Sequence, residues 1–343
     1  MKRLTTLNYS KPTIEVFFRK SVPKPTQVFD TYWRFATERQ KVYFRRVYGE
    51  PRPWTEDPII RAHKFTNAYR ASDRVSQYLI RHIIYDKKRS PKDLLFRILL
   101  FKSFNKIETW QTLEGKFGEV STETYSFEAY DRLLSHLSAV GYKIYSGAYI
   151  MASGRQAFGY HRKHRNHLKL IESIIADGMH ERIPVMKSME ELYKELLSYP
   201  TIGSFLAYQY AIDINYSELT SFSEMDFVVA GPGAKDGIQK CFGNPGEYTE
   251  EDIIKYATDS QELELGRLGL DFKTLWGRPL QLIDCQNLFC EVDKYARVAH
   301  PELVGNSGRK RIKQKFVQTS KEITPWYPPK WGLNEQIAVE LVR

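Results

Sequence analysis

Residues 225–240 read MDFVVAGPGAKDGIQK, and the stretch holds residue types from which a nucleotide site or a catalytic carboxylate can be built. An apolar run, three glycines and a helix-like stretch share the layout of a phosphate loop, where backbone N–H groups face an anion. The spacing argues against that loop. Gly231, Gly233 and Gly237 give G-x-G-x-x-x-G, one residue longer than the dinucleotide fingerprint. Gly237 is followed by Ile238 and Gln239, where a P-loop requires Lys and then Ser or Thr. The glycines are instead expected to form a tight bend from which a helix begins. Asp226 is then the chemically capable group. A carboxylate at a helix start stays ionised beside the positive end of the helix. It can oppose a developing cation, or serve only as the N-cap.

A second constellation lies upstream. Residues 196–207, LLSYPTIGSFLA, predict a helix, a Pro-x-Ile-Gly turn and a second helix starting on Ser204 or Phe205. The arrangement resembles the helix-hairpin-helix of the DNA glycosylase superfamily, whose hairpin is typically L-P-G-[IV]-G. Gly203 matches the final glycine, and Thr201 stands where the first glycine is usual. The resemblance implies DNA-phosphate contacts from Thr201, Gly203 and Ser204. It also implies a catalytic Asp about twenty residues after the hairpin glycine, and Asp226 follows Gly203 by 23. Such a carboxylate would stabilise the oxocarbenium-like state of glycosidic cleavage. Members that also cut the strand carry a Lys two positions after that glycine. Phe205 stands there, which implies attack by water and an abasic product.

Further blocks are ERQKVYFRRVYGEPRPWTEDPII and FTNAYRASDRVSQYL, then DFVVAGPGAKDGIQKCF, then LIDCQNLFCEVDKYAR. Together, over about residues 28–300, they resemble the helical domain of 5-hydroxymethyl-deoxyuridine DNA kinases and the alpha-glutamyl/putrescinyl-thymine pyrophosphorylases. Those families handle hypermodified pyrimidines in viral and bacterial DNA. The kinase P-loop is missing, so kinase activity does not carry over. Pocket candidates in the matching blocks are Asn67 for a base edge, Arg70 and Arg74 for phosphate or a sugar substituent, and Asp73 to orient them. In the last block Asp284, Gln286, Asn287, Glu291 and Lys294 set polar groups on an apolar helix. Asn287, Glu291 and Lys294 share one face by their spacing. An interhelical polar network is the competing reading for each of them. Trp54 and Tyr69 are either stacking platforms or core.

These residues need a helical scaffold. Helical patterns cover 28–48, 65–84, 91–104, part of 122–140, 164–177, 188–197, 249–268 and 280–297. Asp57 or Thr55 is suited to cap a helix that starts near Pro58, and Ser188 to Glu191 forms a Ser-x-x-Glu start. Residues 141–156 read as a hairpin or an irregular linker. The expected fold is mainly α and helix-hairpin-helix DNA glycosylase-like, with two helical lobes and a DNA cleft between them. Residues 1–27 would be an arm, 28–300 the helical domain, and 301–343 a basic extension.

The chain of 343 residues carries a net charge of +10 and 14% aromatics, which favours a nucleic-acid partner. RKRIKQK at 309–315 has cations and no acid, so Arg309, Lys310 and Arg311 are further phosphate candidates. HRKHRNH at 161–167 interleaves histidines with cations, which repel a metal and suit a phosphate-facing surface. Cys241, Cys285 and Cys290 lack zinc or disulfide spacing and read as buried thiols. No apolar run approaches the roughly 20 residues of a membrane span. No metal and no cofactor are expected. The leading expectation is therefore a cytoplasmic, monomeric, monofunctional DNA glycosylase, in a bacterial cell or a phage-infected host. It would flip a modified pyrimidine out of double-stranded DNA and cleave its N-glycosidic bond, in defence against phages with modified genomes. The alternatives are a hypermodification transferase or pyrophosphorylase acting on activated 5-hydroxymethyluracil in phage DNA, and a non-catalytic reader of modified DNA.

Overall fold

The structure is a computed structural model that describes residues 23–149, 151–243, 245–317 and 322–341. Most of the arm expected over 1–27 lies outside the described residues. The chain forms α1 (Gln27–Val47) and the short α2 (Pro58–Ala62). It continues through α3 (Arg74–Tyr78), α4 (Pro91–Phe104), α5 (Ile107–Phe117), α6 (Phe127–Ala139), α7 (Arg155–Phe158) and α8 (Lys163–Ala176). Then come α9 (Met179–Arg182), α10 (Met189–Ser198) and α11 (Ser204–Asn215). The last elements are α12 (Pro232–Phe242), α13 (Glu250–Asp259), α14 (Gln261–Arg267), α15 (Leu282–Ala299) and α16 (Asn334–Leu341). The fold is mainly α, as the periodicity predicts. Among the described residues β pairing is limited to isolated bridges, His63–Lys315 and Leu275–Arg278.

The chain divides into two compact units. One runs up to Asp73 and resumes at Ser223, and the other is Arg74–Phe222. In the first unit, α1 begins at an N-cap, Thr26, whose side chain accepts from the Val28 N–H. The same Thr26 donates to the carbonyls of Cys241 and Lys240, so the start of α1 is fixed to the end of α12. The Phe29 ring lies 4.7 Å from Phe242, and Tyr32 lies 4.6 Å from Phe289. Such buried side chains stabilise by about 1.5–3 kcal/mol each.

The contact between α12 and α15 corrects the bend reading of the glycines. Gly231 is the N-cap of α12, but Gly233 and Gly237 lie inside the helix. A Cβ on Gly233 would sit 2.3 Å from the Cys290 sulfur, and one on Gly237 would sit 1.9 Å from the Phe289 carbonyl oxygen. Only glycine lets the two backbones approach so closely. One helical turn further along the same face, Lys240 pairs with Asp293 at 2.9 Å, and both side chains are buried.

In the second unit, α4 is buried all round and therefore central. Its buried Arg97 donates to the carbonyls of His82, Ile83 and Val120 and pairs with Asp86 at 3.1 Å. These bonds hold the π-helical segment Leu79–Ile84, whose wide turn is closed by the Tyr85 N–H on the Ile80 carbonyl. α10 starts at the expected Ser188 cap. The turn that follows takes Thr201 to φ 74°, the conformation that a glycine normally supplies. Gly203 caps α11 in extended backbone.

The helix expected over 65–84 is absent over 65–73. There the chain runs irregularly into a 3-10 turn, Arg70–Ser72, before α3 and the π segment. Acidic side chains replace the helical acceptors. Thr66, Asn67 and Arg70 donate their N–H groups to Glu291, Asp73 and Asp284, respectively. The single helix expected over 249–268 is two, parted at Ser260, which closes α13 and precedes α14.

Candidate functional site

A polar assembly of the first unit lies where the segment 66–73 docks on α15. Asp284, Asn287, Glu291 and Lys294 share one face of that helix. Glu291 accepts from the Thr66 N–H at 2.9 Å and holds the Lys294 ammonium at 2.9 Å. Asp284 accepts from the Arg70 N–H at 2.8 Å and completes a capping box at the start of α15 through the Gln281 N–H at 3.0 Å. The two carboxylates pin both ends of the segment. Asn287 lies between them, half-buried.

Within the segment, Asn67 is used at both ends of its amide. Its oxygen accepts from Arg39 at 3.0 Å, and its nitrogen donates to the Ser72 carbonyl at 2.8 Å. Its base-edge role would require exchanging one of these bonds. Arg39 also donates to the Thr66 carbonyl and is buried. Burial pulls its guanidinium down to about 10, against the opposing charges of Asp73 and Glu291. Arg70 is buried as well.

Two carboxyls bracket the Arg70–Ser72 turn. Asp73 is half-buried, and one of its oxygens accepts from the Asn67 N–H at 2.8 Å. Desolvation pushes its pKa up to about 7, with a further push from Glu291 and a pull from Arg39 and Arg70. Asp284 is also pushed up to about 7, first by burial and then by the charge of Glu224. Glu224 is buried and lies 3.3 Å from the Arg278 guanidinium, which stacks 3.9 Å above the Trp331 ring. A carboxyl that titrates near neutrality and is not sealed from solvent is suited to proton transfer. Asp73 meets the first condition and spends one oxygen on the Asn67 N–H, whereas Asp284 is buried and spends both of its oxygens on backbone.

Other expected positions fall elsewhere. Arg74 belongs to the second unit and pairs with Glu108 at 3.5 Å. Asp226 is exposed in the loop between α11 and α12 and precedes the Gly231 cap by five residues. It is neither the N-cap of α12 nor in its first turn. Its neighbour Glu224 is the acid that turns inward. Thr201, Gly203 and Ser204 stand together at the α10–α11 turn of the second unit. Arg309 is tied to Asp236 at 2.9 Å and to Ser307, while Lys310 and Arg311 are exposed.

The basic tail is held as an extended strip. Lys64 donates to the Gln314 carbonyl, and Phe316 donates to that of Ala62. Beside it, Arg52 and Arg46 lie 4.1 and 5.0 Å from the Trp54 ring, and Arg52 reaches the Phe316 ring at 5.9 Å. Burial and then the charge of Arg52 lower the Arg46 pKa. Cations alternating with rings form the kind of face that binds a nucleic-acid backbone.

The family described as the helical domain of 5-hmdU DNA kinase matches residues 26–305. The chain belongs to that family. It is 30% identical over 306 residues to a 5-hmdU DNA kinase of Bacillus phage SP10, covering 83% of this chain. The match spans 47% of that relative, so this chain corresponds to about half of it. No solved structure matches. Membership in the 5-hmdU DNA kinase helical family corrects the leading expectation. The relative is named for phosphoryl transfer, not for hydrolysis of a glycosidic bond, so the glycosylase and hydrolase readings are withdrawn. The hairpin-like spacing and the distance to Asp226 had favoured excision, but neither specifies a reaction.

Among the residues that the sequence reading passed over are Arg39, Glu224 and Arg278. Arg39 left a signal. It is a cation on the apolar stripe of α1, between Phe35 and Val42. Nothing around Glu224 or Arg278 distinguished them.

Proposed function

We propose that the chain binds DNA containing 5-hydroxymethyluracil and presents the extruded base for group transfer at its 5-hydroxymethyl oxygen. The observation that carries this reading is the family match over residues 26–305, together with a relative named as a 5-hmdU DNA kinase. The sequence contains no G-x-x-x-x-G-K-[ST], so substrate binding and presentation are assigned to these residues, and the triphosphate cradle is not. Asp73 serves as general base. It takes the hydroxymethyl proton as the oxygen attacks the terminal phosphorus of a nucleoside triphosphate and the nucleoside diphosphate leaves, and its pKa of about 7 suits that task. Arg39, Asn67 and Glu291 hold the loop that carries it. The strip of Lys310 and Arg311, with Trp54 and Arg52, engages the backbone of double-stranded DNA.

The test compares duplexes that differ only in thymine or 5-hydroxymethyluracil. The hydroxymethylated duplex is expected to bind about tenfold or more tightly, because a site built for a hydroxyl rejects its absence. Asp73→Asn is expected to keep that preference. Equal affinity for the two duplexes, or release of free base from either, would overturn the reading.

A further inference from the structure

We infer that a basic, aromatic-lined groove in the second unit binds a nucleotide of a DNA strand. This deepens the DNA reading above and rests on it. The groove of about 640 Å³ is lined by Tyr142, Lys143, Tyr145, Arg162 and Lys163, together with small residues, Ile144 and His164. No acidic residue lines it. It is formed by the irregular stretch after α6 facing the start of α8.

The groove is built rigidly. The Tyr145 ring stacks on Phe104 at 5.1 Å, and its hydroxyl donates to Nδ1 of His167 at 3.0 Å. The opposite nitrogen of His167 donates to the Ala152 carbonyl at 2.8 Å, which fixes the tautomer that accepts from Tyr145. Burial lowers the His167 pKa to about 4, so the ring stays neutral. The Tyr142 ring is covered on one side by the Lys106 ammonium at 4.0 Å.

Among the described residues Lys143, Arg162 and Lys163 have no ion-pair partner. Several other cations of this unit are paired: Lys169 with Glu172, Arg182 with Asp177, Lys194 with Glu190. Among the described residues Arg162 donates only to the Ser135 carbonyl, and Lys163 lies 4.7 Å above the Tyr145 ring. Asp131, an acid on the adjoining helix, is occupied by His164 and Arg165. Uncompensated cations beside fixed aromatic faces match the chemistry of a nucleotide, with its anionic phosphate and planar base. α8 begins here without a side-chain cap, which adds the positive end of a helix to the same field. The groove is open, so a strand can run through it.

The experiment measures anisotropy of a labelled oligothymidylate with the full chain across a salt series. Lys143→Ala with Arg162→Ala removes two exposed cations from the groove. Lys187→Ala with Lys194→Ala removes the same charge elsewhere in the unit. The groove variant is expected to bind about tenfold more weakly, with a salt slope smaller by about 1.4, the share of two phosphates on a single strand. The control pair is expected to leave both values near wild type. Equal losses in the two variants would overturn the groove while leaving the DNA reading intact. Wild-type binding of thymidine monophosphate without any strand would overturn the strand assignment in favour of a free nucleotide. Absence of binding to any DNA would overturn the proposed function itself. Thermal melts that match wild type confirm that the exposed substitutions leave the unit folded.

Discussion

Gly237→Ala offers a sharp test of the packing that carries α15. Two effects oppose each other. In an exposed helix interior, replacing Gly by Ala is worth about 0.8–1.0 kcal/mol of added stability. At Gly237 the new methyl would fall 1.9 Å from the Phe289 carbonyl oxygen and 2.7 Å from its carbonyl carbon. Ordinary carbon–oxygen contact needs about 3.3 Å, so the backbones must part by about 1.4 Å. The obstacle is backbone within α15, so no rotamer change relieves it. Overpacking of this kind costs about 1–3 kcal/mol or more, which exceeds the propensity gain. The parting also stretches the buried Lys240–Asp293 pair one turn away, now 2.9 Å. Gly115 is the matched control. It lies inside α5 on an exposed face, and a Cβ there meets nothing within 4 Å. Thermal unfolding should therefore move in opposite directions. Gly237→Ala should melt several degrees below wild type and Gly115→Ala slightly above it, at about 2–4 °C per kcal/mol. A Gly237→Ala protein as stable as wild type would refute the close approach of α12 and α15.

Two other substitutions probe the candidate site and the hairpin-like turn. Asp284 has a folded pKa of about 7, against about 3.9 for an unfolded Asp. Between those values the folded state keeps a proton that the unfolded state has released. Its contribution is complete below about pH 4 and is lost as pH rises through 7, at up to about 1.4 kcal/mol per pH unit. Asp284→Asn should remove that slope from urea midpoints measured over this range, and parallel curves for the two proteins would contradict the assignment. Thr201 sits at φ 74°, where a side chain costs about 1–2 kcal/mol and glycine loses about 0.5–1 in entropy. Thr201→Gly should raise stability by roughly 0.5–1 kcal/mol by that difference, and a lower melting temperature would show that the turn depends on the threonine.

What could be read from the sequence follows from how local each determinant is. α1, α4, α8 and α15 repeat apolar residues at helical spacing, and Ser188 and Asp57 announce their helices within four residues. The segment 65–84 failed because its backbone bonds run to Asp284 and Glu291, more than 200 residues away, which no local pattern encodes. The glycines of α12 were misread for a related reason. Gly233 and Gly237 have small-residue spacing suited to helix contact, but the partner helix appears only at 282. Asp226 drew attention through its distance from Gly203. The fold instead turns Glu224 inward and leaves Asp226 at the surface, a choice made by the packing of Met225 and Val228. The family was legible from long blocks of matching sequence. The reaction was not, because a helical scaffold is compatible with many chemistries.

The role of α15 accounts for its block reading LIDCQNLFCEVDKYAR. One of its faces meets the glycines of α12, and another receives the 66–73 segment through Asp284 and Glu291. An apolar interface of similar volume would hold the same two elements at no greater cost, since buried charges contribute little net stability. What the carboxylates add is position. They draw the N–H groups of Thr66 and Arg70 out of helical bonding and so keep Asn67–Ser72 from continuing as helix. That places Asp73 at the end of a 3-10 turn, half-buried beside Glu291, Arg39 and Arg70, where its pKa reaches about 7. Had the segment formed the helix that its periodicity allows, its N–H groups would have been spent internally and Asp73 would have been one more helical carboxylate. The charge on α15 and the raised acid on the loop are thus one arrangement, with the helix supplying the constraint that sets the surroundings of Asp73.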